Sequence, residues 1–476
     1  MSEHGSFSAQ PSIYDDDSTA GSGVVRIASV AALGGFLFGY DSAVINGAVG
    51  AVERQFQADA ATLGFAVASA LLGAAAGAMV AGRIADHLGR LMVMKIAAVL
   101  FLVSAIVTGF APNLWVLVLG RVIGGLGVGM ASVIAPAYIA EIAPARIRGR
   151  LGSLQQLAIV TGIFISLLVD FVFAELAGGS DQPFWFGLEA WRWMFLAMAV
   201  PAVIYGVMAL TIPESPRFLI AKHRIPEAKE ILTRLLGPTN IDAKIARIRE
   251  TMERETEPSW ADLKSPSGKI AGIVWIGLAL SVFQQFVGIN VIFYYSNILW
   301  EAVGFDESQA FIITVIGATI NILTTLIAIA SVDRFGRKPL LIIGSLGMTV
   351  TLATMAFIFG TANIVDGRPI LEGAEGPIAL VAANLFVVAF GMSWGPVVWV
   401  LLGEMFPNRM RAAALSLAAG GQWVANWIIT VSFPALKDVS LSLAYGLYAA
   451  FALLSFLFVM KFIEETKGKQ LEDMHG

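Results

Sequence analysis

Neutral amide side chains lie deep within several long apolar segments of this sequence. They are Gln156, Gln284, Gln285, Asn321, Gln422 and Asn426. An amide carries both hydrogen-bond donors and acceptors, and it costs less to desolvate than a charged group. These residues therefore predict a site that exchanges hydrogen bonds with a neutral, hydroxyl-rich solute. The alternative is that the amides only tie helices together, but their spread over four segments at comparable depth favours the site.

Asp41 is the only carboxylate, and Arg121 the only base, that we place within the apolar segments. Each lies about eight residues, or ~12 Å along a helix, from the same end of its segment, so the two can pair. A charge in a membrane-spanning helix costs roughly 2.5–3.5 kcal/mol, which makes both residues functional candidates. A purely structural ion pair would fit the same placement.

The composition excludes several kinds of site. The chain has no cysteine, which excludes disulfides, thiol catalysis and thiolate metal sites. We predict no metal site, because the four histidines lie in tails or polar loops, at His4, His87, His223 and His475. A net charge of −4 gives no reason to expect nucleic acid as a partner. Without a phosphate-binding motif or an intramembrane His or Cys, the sequence disfavours an enzyme, and we predict no cofactor.

Twelve segments are apolar enough, and at about 20 residues long enough, to cross a bilayer as helices. They are roughly 27–49, 60–82, 96–120, 122–140, 151–169, 193–213, 270–300, 308–332, 339–365, 376–403, 412–436 and 439–460. Only 14% of the residues are charged, against about 25% in a soluble domain. The turn between spans three and four is predicted at Pro112–Asn113, which places Arg121 inside span four. The polar N-terminal residues contain no apolar core, so span one must act as its own insertion signal.

The distribution of basic residues predicts the orientation. With the N-terminus inside the cell, 26 of the 31 Lys and Arg residues fall on the cytoplasmic side of the spans, and only Arg54, Arg192, Arg368 and Lys437 fall on the other side. Positive residues collect in the cytoplasmic loops of membrane proteins. We therefore expect a multi-pass protein of the plasma membrane, or of the inner membrane in a Gram-negative cell, with both termini in the cytoplasm.

The chain divides into two similar halves. Two loop motifs occur once in each half: Asp86-x-x-Gly89-Arg90 recurs as Asp333-x-x-Gly336-Arg337, and Glu141-x-x-Pro144-x-Arg146-x-Arg148 recurs as Glu404-x-x-Pro407-x-Arg409-x-Arg411. Parallel six-helix repeats place a substrate site near the middle of the membrane, between the halves. The predicted division is a polar tail (1–25), an N-terminal half (26–213), a cytoplasmic linker (214–269), a C-terminal half (270–463) and a cytoplasmic tail (464–476).

The linker is predicted to be helical, with a disordered linker as the alternative. Helical spacing of apolar and charged residues runs from Pro226 to Glu255 and breaks near Gly237–Pro238. This pattern is typical of short amphipathic helices on a membrane surface. The predicted fold class is thus an all-α membrane protein, with twelve transmembrane helices in two six-helix halves and a cytoplasmic helical linker.

Outside the first 25 residues, the motifs resemble those of the sugar porter family of the major facilitator superfamily. The resemblance is carried by Gly-Arg-Ile-Ala-Asp-His-Leu-Gly-Arg at 82–90, Pro-Glu-Ser-Pro-Arg at 213–217, Gln-Gln-Phe-Val-Gly-Ile-Asn at 284–290 and Asp-Arg-Phe-Gly-Arg-Lys-Pro at 333–339. Within the family, the motifs look most like those of the bacterial xylose:proton symporter and the facilitative glucose transporters. The usual Pro-Glu-Thr-Lys-Gly after the last span is replaced by Glu464-Glu465-Thr466-Lys467-Gly468. We expect this change to loosen a helix stop without touching the transport path.

The resemblance implies which residues contact the sugar. It assigns hydrogen bonds with the sugar to six amides: Gln156, Gln284, Gln285, Asn290, Asn321 and Gln422. It assigns packing against the apolar face of the ring to Trp399 and Trp423, and closure of the external gate to Tyr294 and Tyr295. Gly395-Pro396 also predicts an interruption of span ten just before Trp399.

The same resemblance implies that Asp41 and Arg121 couple transport to protons, because facilitative glucose carriers of the family generally have Asn at the Asp41 position. Charged residues of the loop motifs predict a clamp whose ion pairs cross the seam between the halves, hold the cytoplasmic side shut and break for release. The clamp residues are Arg90, Glu141, Arg148, Glu214, Arg217, Arg337, Glu404 and Arg411. Topology determination alone would explain the arginines but not the glutamates placed with them.

Together these patterns predict a secondary active transporter that takes up a monosaccharide such as glucose or xylose by proton symport through alternating access. The expected partners are the sugar, the proton and the lipid bilayer, and the carrier is expected to be a monomer. A facilitative uniporter and a proton-coupled transporter of inositol or another polyol stay open as alternatives. A sugar sensor is disfavoured because only about 16 residues follow the last span.

Overall fold

The computed structural model describes residues 22–142, 148–254, 260–407 and 410–465. The N-terminal half comprises α1 (Ser22–Phe56), α2 (Ala60–Leu88), α3 (Arg90–Gly109), α4 (Leu114–Ile142), α5 (Arg148–Ala177), α6 (Ala190–Leu196) and α7 (Ala199–Ala209). The linker comprises α8 (Pro216–Ala221), α9 (Ile225–Leu236) and α10 (Ile241–Arg254). The C-terminal half comprises α11 (Gly272–Phe286), α12 (Ile289–Ala302), α13 (Glu307–Phe335), α14 (Lys338–Thr361), the hairpin β1 (Asn363–Val365) and β2 (Arg368–Ile370), α15 (Glu375–Gly391), α16 (Trp394–Met405), α17 (Arg411–Val439) and α18 (Leu441–Phe462).

The sequence predicts twelve membrane spans, which can be compared with the described helices. Eleven of them are long and apolar enough to cross a membrane. The twelfth, α17, has 29 residues, and at 1.5 Å per residue it is about 43 Å long, which also suffices. The predicted all-α membrane fold with a helical linker is confirmed, with the hairpin β1–β2 as a small addition. The predicted turn at Pro112–Asn113 is confirmed too, since α4 begins at Leu114 and contains Arg121.

Spans seven and ten are each divided into two helices. We predicted span seven as continuous from 270 to 300, but α11 ends at Phe286 and α12 begins at Ile289. Gly288 turns the chain there with a φ of 84°, a conformation that suits glycine. The predicted interruption of span ten lies at Met392–Ser393. It lies there because Pro396 has no N–H to donate to the carbonyl of Met392 four residues earlier.

Glycine allows the helices of the N-terminal half to approach closely. A Cβ at Gly39 in α1 would collide with the carbonyl oxygen of Ile159 in α5, and one at Gly162 in α5 would collide with the carbonyl of Phe36. Gly125 in α4 lies in the same way against the carbonyl of Ala70 in α2. Such small residues are typical of helix packing in membranes, where close approach replaces the hydrophobic effect as the source of attraction.

The two ends of the bundle differ in how the halves meet. We call the end at which Ser22 and Glu465 lie the terminal face, and the end with loops 178–189, 303–306 and 362–374 the distal face. Near the distal face α1 contacts α12, α2 contacts α17 and α5 contacts α13. For example, the rings of Phe171 and Phe311 lie 6.4 Å apart across this seam. The bundle is thus closed at its distal face.

The linker is helical on the terminal face, so the disordered alternative is wrong for its described part. α9 and α10 are amphipathic and are separated at Gly237, whose φ is 84°. Lys229 and Asp242 join the two helices at 2.9 Å. The predicted break near Gly237–Pro238 is confirmed.

The close crossing of α1 and α5 gives the first testable prediction. Gly39→Ala introduces a methyl group where the backbone of Ile159 already lies, so we expect a loss of stability of about 1–3 kcal/mol from overpacking. The measurement is the thermal unfolding midpoint in detergent. Gly446→Ala in α18 is the matched control, because nothing lies within 4 Å of the added Cβ. Equal midpoints for the two variants would contradict the packing described here.

Candidate functional site

A cavity of about 620 Å³ lies between the two halves, in the middle of the bundle. The six amides predicted to bind a solute all line it: Gln156, Gln284, Gln285, Asn290, Asn321 and Gln422. Trp399 lines it as well. Trp423 does not; it is partly buried and packs against the apolar core. Asn426, the other amide expected at the site, does not line the cavity either; it is buried, and its Oδ1 accepts from the hydroxyl of Thr430 at 3.1 Å. The structure therefore brings together all but two of the residues predicted to surround the solute.

The break in span seven places three of these amides. Gln284 and Gln285 lie on the last turn of α11, and Asn290 lies on the first turn of α12. The Asn290 amide donates to Oε1 of Gln285 across the break. A Cβ on Gly288 would lie 2.6 Å from the ring of Tyr448, so both its φ and its surroundings require glycine. The break thus turns polar side chains from two short helices towards one point.

Gln284 is engaged by the protein itself. Its Nε2 donates to the carbonyl oxygens of Trp394 (2.8 Å) and Gly395 (3.1 Å) at the start of α16, and its Oε1 accepts from Nε2 of Gln422 at 2.7 Å. With only 2% of its surface exposed, this amide ties spans seven, ten and eleven together. In this conformation the alternative role, in which an amide holds helices together through hydrogen bonds, therefore applies to Gln284.

Other amides of the cavity keep free hydrogen-bonding capacity. The side chains of Gln156 and Asn321 make no hydrogen bond with any residue that the structure describes. Gln285 uses its oxygen but not its amino group, and Gln422 uses its amino group but not its oxygen. Donors and acceptors from both halves thus face one space, which suits a neutral solute that carries several hydroxyl groups.

Aromatic side chains that sequence reasoning missed form the apolar part of the wall. Phe38, Phe293 and Phe390 line the cavity together with Trp399. A ligand site usually combines apolar and aromatic walls with a few placed polar groups. In an apolar span a phenylalanine gives no signal of its own. The signal that could have identified two of them is their distance from a helix break, since Phe293 and Phe390 each lie within a few residues of one.

The cavity runs from the distal seam towards the terminal face. Tyr294 lines its distal part, whereas Ile329 lies near the terminal-face end of α13 and Trp399 lies in the middle of α16, on the terminal-face side of the break in span ten. Ile329 and Trp399 are 42% and 44% exposed. The cavity is therefore open towards the terminal face and closed towards the distal face.

Of the two tyrosines predicted to form an external gate, only Tyr294 faces the cavity. Tyr295 is fully buried within the C-terminal half, where its hydroxyl donates to the carbonyl of Thr430 at 2.6 Å and its ring packs on Phe433. Successive residues of a helix point about 100° apart, so two adjacent tyrosines seldom share one face. Tyr295 therefore does not line the cavity, and its role in an external gate stays a prediction.

The seam above Tyr294 is closed by Asn46, a residue that sequence reasoning missed. Its Nδ2 donates to the carbonyl of Phe293 at 3.1 Å, and its Oδ1 accepts from the backbone N–H of Asn297 at 3.0 Å. Those two groups, four residues apart in α12, are the partners of one helical hydrogen bond. A fully buried amide of the N-terminal half thus bridges one turn of a helix in the C-terminal half.

Asp41 and Arg121 lie together, as predicted, but not as an ion pair. Nη1 of Arg121 donates to the backbone carbonyl of Asp41 at 2.8 Å, and Nη2 donates to the carbonyl of Val67 at 3.3 Å. Oδ2 of Asp41 and Nε of Arg121 have no hydrogen-bond partner among the described residues. Both side chains are about 2% exposed. The alternative of a purely structural ion pair is therefore not supported in this conformation.

The prediction that Asp41 is the only carboxylate within the spans is wrong. We ended span five at residue 169, but α5 continues to Ala177 and contains Asp170. Asp170 is completely buried against Gly47 of α1, and neither of its oxygens has a side-chain partner in the described chain. Ending a span at its first charged residue removed Asp170 from consideration.

The charged network at the terminal face lies within one half. Arg90 donates twice to the carboxylate of Glu141, at 2.9 and 2.7 Å, and Glu214 accepts from the backbone N–H groups of Arg90 and Leu91. Ser215 donates to both Glu141 and Glu214. These contacts were predicted across the seam; they form inside the N-terminal half, because the halves are apart at this face. The side chains of Arg148, Glu404 and Arg411 lie outside the described part, so their place in the clamp stays a prediction. Arg337 is buried and Arg217 is half-buried at the terminal face.

Glu465 is the counterpart of Glu214 in the other half, and it was also missed. Its carboxylate accepts from the backbone N–H groups of Arg337 and Lys338 at 3.1 Å. Gly336 adopts a φ of 82° and leaves no room for a Cβ beside Glu465, as Gly89 does beside Glu214. Glu465 stands where the usual motif also has Glu, and the expectation that the change at Glu464 loosens a helix stop without touching the transport path stays a prediction. The internal repeat was the signal that could have found Glu465.

Comparisons with known proteins agree with this geometry. A family model described as sugar (and other) transporter matches residues 27–476. The chain is 57% identical over 453 residues to a glucose transport protein of Synechocystis, covering 95% of this chain and 97% of that protein. It is 37% identical over 493 residues to the D-xylose-proton symporter of Escherichia coli K12, covering 95% of each.

The fold of this chain is also similar to that of a solved structure. The inward-open conformation of the xylose transporter XylE from Escherichia coli matches with a TM-score of 0.80 at 37% identity, covering 95% of this chain and 99% of that one. The family model and both relatives span nearly the whole chain. The chain therefore belongs to the sugar transporter family of the major facilitator superfamily.

Proposed function

We propose that this protein takes up a monosaccharide by proton symport, as a monomer in the plasma membrane with both termini in the cytoplasm. The observation that carries the proposal is the cavity between the halves, with unpaired amides from both halves and an aromatic wall. Amides exchange hydrogen bonds with sugar hydroxyls, and aromatic rings pack against the apolar face of the ring. Similarity to a glucose transport protein and to a D-xylose-proton symporter supports this solute class.

Alternating access follows from the closed and open ends of the cavity. In this conformation a solute at Gln156 and Asn321 reaches only the terminal face, which we assign to the cytoplasm. Uptake requires a second conformation in which the two halves, with boundaries near 213 and 270, separate at the distal face. In that conformation Arg148, Glu404 and Arg411 are proposed to join the halves at the terminal face, as the clamp predicted from the loop motifs.

Proton coupling is assigned to Asp41. Its carboxylate is buried in the membrane beside Arg121 without pairing with it. A carboxylate couples transport when it holds a proton in one conformation and pairs with a base in another, because a ligand shifts an equilibrium by its differential affinity. The guanidinium needs only to move from the backbone carbonyl of Asp41 to its carboxylate to make that exchange.

The direction of neighbouring side chains allows a sharp test of the binding site. Gln156 faces the cavity, whereas Gln155 is buried against Gly35 of α1. Gln156→Ala should weaken the binding of D-glucose or D-xylose roughly fivefold to tenfold, because hydrogen bonds to hydroxyls are lost. The measurement is the change in intrinsic tryptophan fluorescence of the purified protein on sugar titration.

Gln155→Ala is the matched control for that experiment, since it removes the same group one residue away. We expect its sugar affinity to equal that of the wild type once folding has been checked by thermal unfolding. If both variants bind sugar as the wild type does, Gln156 is not in the site. If neither sugar binds to the wild-type protein, the monosaccharide assignment itself fails and a polyol panel follows.

The coupling role of Asp41 predicts the loss of uphill transport. One proton moving through 100 mV supplies ~2.3 kcal/mol, enough for about 50-fold accumulation of a neutral sugar. Asp41→Asn removes the titrating group and should abolish uncoupler-sensitive accumulation of labelled sugar in vesicles, while sugar binding and sugar–sugar exchange persist.

Asp170→Asn is the comparison variant, because it makes the same change at the other buried carboxylate of the N-terminal half. The proposal expects Asp170→Asn to retain accumulation. If Asp170→Asn loses accumulation while Asp41→Asn keeps it, coupling belongs to Asp170. If wild-type uptake ignores the proton gradient, the protein is a facilitative uniporter.

A further inference from the structure

The carboxylate of Glu307 gathers hydrogen bonds from the opposite half of the protein. Glu307 is the first residue of α13 in the C-terminal half. It accepts from the backbone N–H of Ser180 at 2.6 Å, from the Ser180 hydroxyl at 2.7 Å and from Nη2 of Arg54 at 3.3 Å. Ser180 and Arg54 both belong to the N-terminal half. One side chain thus holds three donors across the seam at the distal face.

The donors are positioned by their own half. Gly178 and Gly179 follow α5 with φ values of 85° and 156°, and this turn directs the N–H of Ser180 at Glu307. Asp181 accepts from Nε of Arg54 at 3.1 Å and so fixes the guanidinium. Partial burial opposes ionisation of Asp181, but hydrogen bonds from Gln182 and Arg54 outweigh it and lower its pKa. Asp181 therefore keeps its charge at neutral pH.

Neighbouring contacts show that the seam is closed around Glu307. The hydroxyl of Ser308 donates to the carboxylate of Glu175 at the end of α5. Arg54 is 47% exposed in its side chain and Glu307 25%, and an exposed ion pair contributes little alone. What distinguishes Glu307 is the two additional bonds from Ser180, which form only when the two halves meet.

We propose that Glu307 is a positioning residue of the transport cycle, a latch that holds the distal face shut while the cavity is open at the terminal face. This inference rests on the proposed alternating access. All three bonds must break when the halves separate at the distal face. Because they stabilise one conformation only, their removal shifts the population towards the other conformation.

Cysteine labelling tests the latch directly, because the chain contains no cysteine of its own. Ala318 is 2% exposed and packs across the seam against Ala43 and Leu167, so Ala318→Cys reports opening at the distal face. Ile329 lines the cavity near the terminal face, so Ile329→Cys reports opening there. With a water-soluble maleimide added to the purified protein in detergent, where both faces are accessible, Glu307→Gln should speed distal labelling at 318 about fivefold and slow terminal-face labelling at 329.

Glu372→Gln is the matched control, since Glu372 lies on the same face and, among the described residues, its carboxylate accepts from Asn363 in its own half and from nothing across the seam. Its labelling rates should equal those of the background protein. Ser180→Ala removes one of the three bonds and should give a smaller shift in the same directions; it also stands in for Glu307→Gln if that variant fails to fold. The double variant Glu307→Gln with Ser180→Ala should shift labelling slightly further than Glu307→Gln alone, because glutamine keeps one carbonyl oxygen that can still accept from the Ser180 hydroxyl.

Opposite changes at the two reporters separate a latch from a general loss of structure, which would speed labelling at both. Unchanged labelling at both sites in Glu307→Gln overturns the latch. Labelling that rises at both sites assigns Glu307 to folding and also overturns it. Alternating access is checked separately in the two reporter variants that keep Glu307: if saturating D-glucose and D-xylose leave the labelling at both reporters unchanged, it is the proposed function that fails.

Discussion

A helix break inside a membrane leaves polar backbone groups that only the protein can satisfy, because the hydrocarbon offers no hydrogen bonds. The site depends on this constraint. Span seven breaks at Gly288 and span ten at Ser393, and the amide of Gln284 joins the two by donating to Trp394 and Gly395. The breaks are tolerated because they line a cavity. The same breaks aim Gln285 and Asn290 into it.

The sequence predicted which residue types lie at the middle of the membrane, but not which way each one points. Gln155 and Gln156 are chemically identical and adjacent, yet only Gln156 lines the cavity. Trp423 and Tyr295 lie outside the lining of the cavity for the same reason: the position of a residue along a helix sets its depth, while the packing of that helix against its neighbours sets the direction of the side chain. A count of apolar residues could not predict the division of span seven either. The division depends on the positive φ of Gly288 and on the ring of Tyr448, which leaves no room for a Cβ at that position.

Charge patterns identified residues of the terminal-face network but not the pairing of their side chains. Counting uncharged residues ended span five before Asp170, although a fully buried carboxylate lies there. The loop motifs identified Arg90 and Glu141 as partners of a network, but not that the bonds stay within one half. A contact that exists in one conformation and not in another cannot be assigned from residue identity, since the sequence is the same in both.

The hydrogen bonds of the two faces differ in whether they join the two halves or lie inside one of them. At the terminal face, Glu214 and Glu465 bind backbone N–H groups at the start of α3 and α14, each inside its own half. These contacts can persist throughout a cycle because no seam crosses them. The bonds of Asn46 and Glu307 cross the seam at the distal face. Glu214 and Glu465 thus stabilise the individual halves, whereas Asn46 and Glu307 stabilise the conformation in which the halves meet at the distal face. A substitution can therefore alter the conformational equilibrium while leaving the fold of both halves intact.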